Sequence, residues 1–122
     1  MLKLLAIFLG GGLGALLRYG ASCLAGRWVG SPVPGTFVVN VLGCLALGAV
    51  FGLTQSRGLP EGARLFTSVG FLGALTTFST LNLELFDMLK SGRLAWGITY
   101  LLLSIAVGLL FTCLGYYLGK SF

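Results

Sequence analysis

Histidine is absent from this 122-residue chain, and acids are scarce: three Asp and Glu against eight Lys and Arg. Losing histidine removes the commonest general base and metal ligand. The three acids are Glu61, Glu84 and Asp87. They form no deep carboxylate pair and no metal-ligand spacing, so an enzyme is not expected. Charged residues of all kinds make up 9% of the chain, where a soluble domain carries about 25%. Cysteine is also sparse. Cys23, Cys44 and Cys113 are an odd number in apolar surroundings, which suits small buried hydrophobes better than a disulfide frame.

Hydrophobic residues fill 57% of the chain. The chain therefore reads as an integral membrane protein, and its length allows one domain. The net charge of +5 does not point to nucleic acid, because the basic residues punctuate apolar runs singly or in pairs. That is the pattern of membrane-flanking charge. The N-terminal Met1-Leu2-Lys3 and the apolar run after it superficially resemble a signal peptide. The run is broken by glycine and leads straight into more membrane sequence, so it reads as a first span.

Charges and turn residues mark four spans at about 3–26, 36–54, 65–89 and 94–119. Each is close to the ~20 residues that a helix needs to cross the hydrocarbon. The expected fold is an all-α membrane protein with four transmembrane helices and both termini on one side. Lys3, Arg57, Arg64 and Lys120 then share one face, and Arg18, Arg27, Lys90 and Arg93 the other. The positive-inside rule needs an excess on one side, and here there is none. Such a chain can insert both ways, and two opposed copies can pair as an antiparallel dual-topology dimer, a two-chain version of an inverted repeat. Glycine is abundant, 20 residues of 122, and suits close packing of membrane helices.

A few polar residues inside the spans need a reason. Asn40 either bonds a neighbouring helix or faces a pore, since an unpaired amide in hydrocarbon costs several kcal/mol. Arg18 is either a snorkelling anchor or an attractor of anions. Glu84 and Asp87, at i and i+3, suit a helix end with paired charges or an intramembrane acid site.

The third span is the most unusual. Gly73, Thr76, Thr77, Ser79 and Thr80 crowd its centre, and residue 77 is midway between Arg64 and Lys90. Glycine and paired threonines weaken a helix there, and a break at the centre frees backbone carbonyls. Freed carbonyls at membrane depth commonly hold a monovalent cation. Neighbouring hydroxyls can donate to an anion, and the positive edge of the Phe78 ring can attract one. The plainer alternative is that the hydroxyls bond back to their own helix. In the fourth span Tyr100 and Ser104 share a face and can extend the polar line begun by Ser79 and Thr80.

Three blocks together carry a resemblance: Gly11-Gly12-Leu13-Gly14-Ala15-Leu16-Leu17-Arg18-Tyr19, Gly35-Thr36-Phe37-Val38-Val39-Asn40, and Gly70-Phe71-Leu72-Gly73-Ala74-Leu75-Thr76-Thr77-Phe78-Ser79-Thr80. In this order they resemble the fluoride channels called Fluc or CrcB, and the four-span layout extends the likeness to the whole chain. The resemblance implies an antiparallel dimer in the cell membrane that exports fluoride passively. It implies a structural sodium ion at the dimer interface, held by backbone carbonyls of Gly73 and Thr76 at the broken third helix. It implies pore roles for Asn40, Phe78, Ser79, Thr80 and Tyr100 and a vestibule role for Arg18. Glu84 matches a glutamate of the family's third helix, to which no role is assigned.

One position departs from the pattern. The family motif usually continues to a second pore phenylalanine, and this chain has Leu81. Leucine offers no polarised ring edge, so the partner is either an identical antiparallel copy or an unlike homologous subunit. A small multidrug transporter would share the size and topology, but it relies on an acid deep in the first span, and there is none here.

Overall fold

The computed structural model describes residues 1–122, and every regular element in it is helical. α1 runs Leu2–Val29 and stops at Gly30, whose positive φ lets its N–H close on the Gly26 carbonyl. α2 runs Val33–Arg57, with proline in its first turn, where the missing N–H costs nothing. A short α3, Glu61–Arg64, leads into wider π-type turns over Leu65–Leu72 and a last turn, α4, Gly73–Leu75. Thr76 and Thr77 are extended, with ψ of 148° and 119°. α5, Phe78–Lys90, follows, and α6 runs Leu94–Ser121. Four stretches are long and apolar enough to cross a membrane: Leu2–Val29, Val33–Arg57, Glu61–Lys90 and Leu94–Ser121. Each extends past the expected span by between one and four residues wherever their ends differ, because turns continue until a glycine, proline or bend stops them.

Bulky side chains do not build this core. Only 20 of 122 residues are buried, and the largest fully buried side chain is Thr36. Leu4, Phe8, Leu16, Phe86, Leu109 and many like them point outward, as expected where the solvent is lipid. Packing is instead backbone on backbone, through glycine. A Cβ on Gly10 or Gly14 of α1 would strike the carbonyls of Phe66 and Phe71 in the third span. Gly48 and Gly52 of α2 lie on Thr112 and Tyr116 of α6, while Gly115 and Gly119 of α6 lie on Leu45 and Ala49 of α2.

This seam makes a direct prediction. Gly115→Ala would place its methyl on the Leu45 carbonyl, which cannot rotate away as a side chain would. Thermal unfolding in detergent should show a loss of about 1–3 kcal/mol. Gly26→Ala meets nothing within 4 Å and should hold or raise the melting temperature, since alanine at a helical position costs less backbone entropy than glycine. Equal behaviour of the two variants would contradict the seam.

Candidate functional site at the centre of the third span

The extended residues Thr76 and Thr77 remove backbone partners from a helix inside the membrane span. Buried N–H and C=O groups cannot be left bare there. Asn40 of α2 meets this need. Its Oδ1 accepts from the Thr77 N–H at 2.8 Å, and its Nδ2 donates to the Thr77 carbonyl at 3.3 Å. The amide is a reciprocal pair to the peptide of one residue. Of the two roles open to Asn40 in the sequence, bonding a neighbouring element is the one this geometry displays.

The Thr77 hydroxyl then starts α5. It accepts from the Thr80 N–H at 3.2 Å, donates to the Thr80 hydroxyl at 3.1 Å, and lies 3.2 Å from that of Ser79. This is an N-cap, and it gathers three hydroxyls at the positive end of a helix. Thr76 turns the other way, donating to the Leu72 carbonyl at 2.9 Å. Its methyl sits against Gly43 of α2, where no larger residue fits.

Gly73 and Thr76 lie in and just after the last helical turn before the break. The Thr77 N–H that would continue the ladder to the Gly73 carbonyl is bound to Asn40 instead. Carbonyls at such an end lack intrahelical partners, so this backbone fits a small monovalent cation that takes oxygen ligands.

Phe78 points out of the folded chain, 76% exposed. Leu81 points in, 6% exposed, and packs with Met88 and Tyr100 against Val33, Phe37 and Leu85. The two positions one turn apart therefore face different surroundings, outside and inside the same chain.

Tyr100 does not join Ser79 and Thr80 in the way the fourth-span spacing suggests. Its hydroxyl donates to Glu84 Oε2 at 2.7 Å, and the Thr36 hydroxyl donates to Glu84 Oε1 at 2.6 Å. Glu84 is buried, and Thr36 is 1% exposed. This second polar cluster lies one helical turn beyond the first, because Thr80 and Glu84 are i and i+4 on α5. Sequence reasoning assigned Thr36 no role. The available signal was its i, i+4 spacing from Asn40, which puts both on one face of α2 toward the third span. Ser104, a turn beyond Tyr100, has a buried hydroxyl without a protein hydrogen-bond partner.

Arg18 is separate again. With Ala15, Tyr19 and Ser22 of α1 it lines a cleft of about 210 Å³ that also reaches Thr80. Its Nε is buried without a hydrogen-bond partner. The Nε is therefore enclosed by protein, in a cleft that also reaches the Thr80 side of the hydroxyl cluster.

This arrangement covers most of the chain, and so does the similarity to known proteins. The family model described as "CrcB-like protein, Camphor Resistance (CrcB)" matches residues 5–116. The chain belongs to the CrcB family. Among its relatives are proteins named fluoride-specific ion channel FluC. One from Methylobacterium sp. (strain 4-46) is 46% identical over 110 residues, 89% of each chain. One from Chloroflexus aurantiacus is 42% identical, covering 100% of this chain and 98% of its own. One from Thermus thermophilus is 40% identical, covering 99% and 98%. As a CrcB-family chain with four helices fit to cross a bilayer, it is a multi-pass membrane protein. The break, the hydroxyl cluster and the Glu84 cluster all lie inside the matched region.

Proposed function

We propose that this chain conducts fluoride passively across the cell membrane and so lowers fluoride in the cytoplasm. One observation carries the reading. The Thr76–Thr77 break, pinned by Asn40, presents the hydroxyls of Thr77, Ser79 and Thr80 at the start of a helix inside the membrane span. Irregular backbone and hydroxyls at that depth are tolerated where they line a path or are covered by protein. A small, strongly hydrated anion needs donors in place of its water. Asn40, Ser79 and Thr80 supply donor groups, the exposed Phe78 supplies a ring edge, and Tyr100, whose hydroxyl hydrogen is given to Glu84, takes its pore role as part of that second cluster. Arg18 serves as the local attractor at the vestibule. The names carried by the relatives support fluoride as the anion.

The working unit is an antiparallel dual-topology dimer. The even division of Lys and Arg between the two faces favours it, and so does the outward Phe78, which a second chain would cover. Sodium is the structural ion, held by carbonyls of Gly73 and Thr76. It supplies a fixed positive charge at the centre of the assembly. A heteromeric channel is the second reading, favoured by Leu81 at a position where the family usually has phenylalanine. A multidrug-type transporter is disfavoured because α1 contains no acid.

The test is ion release from liposomes containing this chain alone, read with a fluoride electrode and with chloride as control. Fast fluoride loss without chloride loss is the expected result. Well-folded protein that releases no fluoride would end the homomeric reading.

A further inference from the structure

We propose that Gly43 of α2 is a positioning residue for the structural cation: its missing side chain seats Thr76 and so fixes where the Thr76 carbonyl points. The inference rests on the sodium reading above and adds to it the residue that sets the geometry of the ligands.

Thr36, Asn40 and Gly43 stand at i, i+4 and i+7 on one face of α2. They meet the third span at Glu84, Thr77 and Thr76 in turn. The last two contacts hold the two ends of a single peptide. The N–H that Asn40 Oδ1 accepts at 2.8 Å belongs to the peptide unit whose carbonyl is that of Thr76. The chain has no cis peptide bond, so this carbonyl points opposite to its N–H, away from Asn40 and α2. The N–H groups that a continuous helix would aim at the two carbonyls assigned to the cation are engaged elsewhere. That of Thr77, four residues past Gly73, goes to Asn40, and that of Thr80, four past Thr76, goes to the Thr77 hydroxyl.

Asn40 holds this peptide at its Thr77 end only. The Thr76 side chain holds the other end. Its hydroxyl donates to the Leu72 carbonyl at 2.9 Å, and its methyl fills the space where a Cβ at Gly43 would lie. Turning the side chain does not make room for that Cβ. Of the three staggered rotamers, the present one puts the methyl in the notch, and a second puts the hydroxyl there. The third clears the notch, but it takes the hydroxyl off Leu72 and sets the methyl in its place. An alanine at 43 therefore pushes on the Thr76 backbone or breaks the Leu72 bond. Gly48 and Gly115 differ, because the carbonyls they meet, of Thr112 and Leu45, lie within regular helix.

The test reads cation binding through stability, apart from conduction. The full-length protein is purified in detergent without sodium, with N-methylglucamine as the salt cation. It is equilibrated with rising sodium at constant ionic strength and melted at a fixed protein concentration. An ion that binds only the folded protein raises its melting temperature, and the concentration at which the rise begins reports its affinity. Gly43→Ala should move that onset roughly tenfold higher, as losing the outer support of a metal ligand does. Thr76→Ser removes the methyl and keeps the hydroxyl for Leu72. The double variant Gly43→Ala/Thr76→Ser thus moves one methyl across the contact and should return the onset close to the native one. Gly115→Ala should lower the melting temperature at every sodium concentration and leave the onset in place.

An onset unmoved in Gly43→Ala, or moved as far in Gly115→Ala, would overturn the positioning role. So would a double variant no better than Gly43→Ala. If Gly43→Ala yields no folded protein, the double variant carries the test: a near-native onset supports the notch, and a shifted onset or failure to fold overturns it. If the native chain gains no stability from sodium, the sodium reading falls and this inference with it, while fluoride conduction is judged by efflux alone.

Discussion

Replacing Asn40 with leucine should reduce fluoride efflux to the level of empty liposomes and destabilise the fold. Leucine keeps asparagine's branch at Cγ, with more bulk, but offers neither hydrogen bond. The Thr77 N–H loses its 2.8 Å acceptor and the Thr77 carbonyl its 3.3 Å donor. Each buried group left bare costs about 1–3 kcal/mol, and lipid offers no substitute partner. The residues that depend on Thr77 follow it. Its hydroxyl caps α5 and holds those of Ser79 and Thr80, so a shift of this peptide displaces the whole donor cluster. Asn40→Asp tests the same contact more finely. An ionised carboxylate can accept from the N–H but has no hydrogen for the carbonyl. Its protonated form has both. Efflux through Asn40→Asp should therefore recover as pH falls through the titration of the new carboxyl, after subtraction of empty liposomes at each pH. An Asn40→Leu protein with native efflux and native melting would refute the clamp.

The second large effect is expected at Glu84. Glu84→Ala deletes the acceptor for two hydroxyls at once and leaves a void beside Thr36, which is 1% exposed. A loss of about 2–5 kcal/mol follows from the combined cavity and the unpaired donors. Efflux should fall as well, because Tyr100 loses the bond that orients its hydroxyl. Glu84→Gln should retain the fold, since a hydroxyl can turn and accept from an amide. Thr36→Val and Tyr100→Phe each remove one donor and leave the other. The double variant leaves a buried carboxyl with neither, so its cost should exceed the sum of the two singles in a double-mutant cycle. Simple additivity would mean that the three side chains do not act as a unit.

Both expectations concern contacts between spans, and this is where sequence reading reached its limit. Asn40 was legible as a polar residue in need of a partner; the Thr77 peptide as that partner was not. Tyr100 was legible as a hydroxyl on the Ser104 face of the fourth span, and spacing on that helix alone aligned it with Ser79 and Thr80. Spacing along one helix gives the face a residue occupies but not the height at which a neighbouring helix meets it. Thr36 shows the same limit. A threonine beside phenylalanine near the start of an apolar run gives little local sign that it is the largest fully buried side chain of the protein.

By itself, the sequence determined that this is a membrane protein of four helices, because charge is rare and falls at intervals set by bilayer thickness. It also determined where the third span is weak, since glycine and two threonines at the middle are poor helix formers. Only the tertiary structure decided how that weakness is made tolerable. Glycine seams bring α1 to the third span and α2 to α6 in backbone contact, and Gly43 lets the Thr76 methyl of the third span close on α2; at that separation a side chain as short as asparagine can pair with the peptide of another span. The same closeness puts Thr36 and Tyr100 on opposite oxygens of Glu84. Helix period and hydropathy are local properties; the register between helices is set by which small residues meet, and the folded chain alone brings them together.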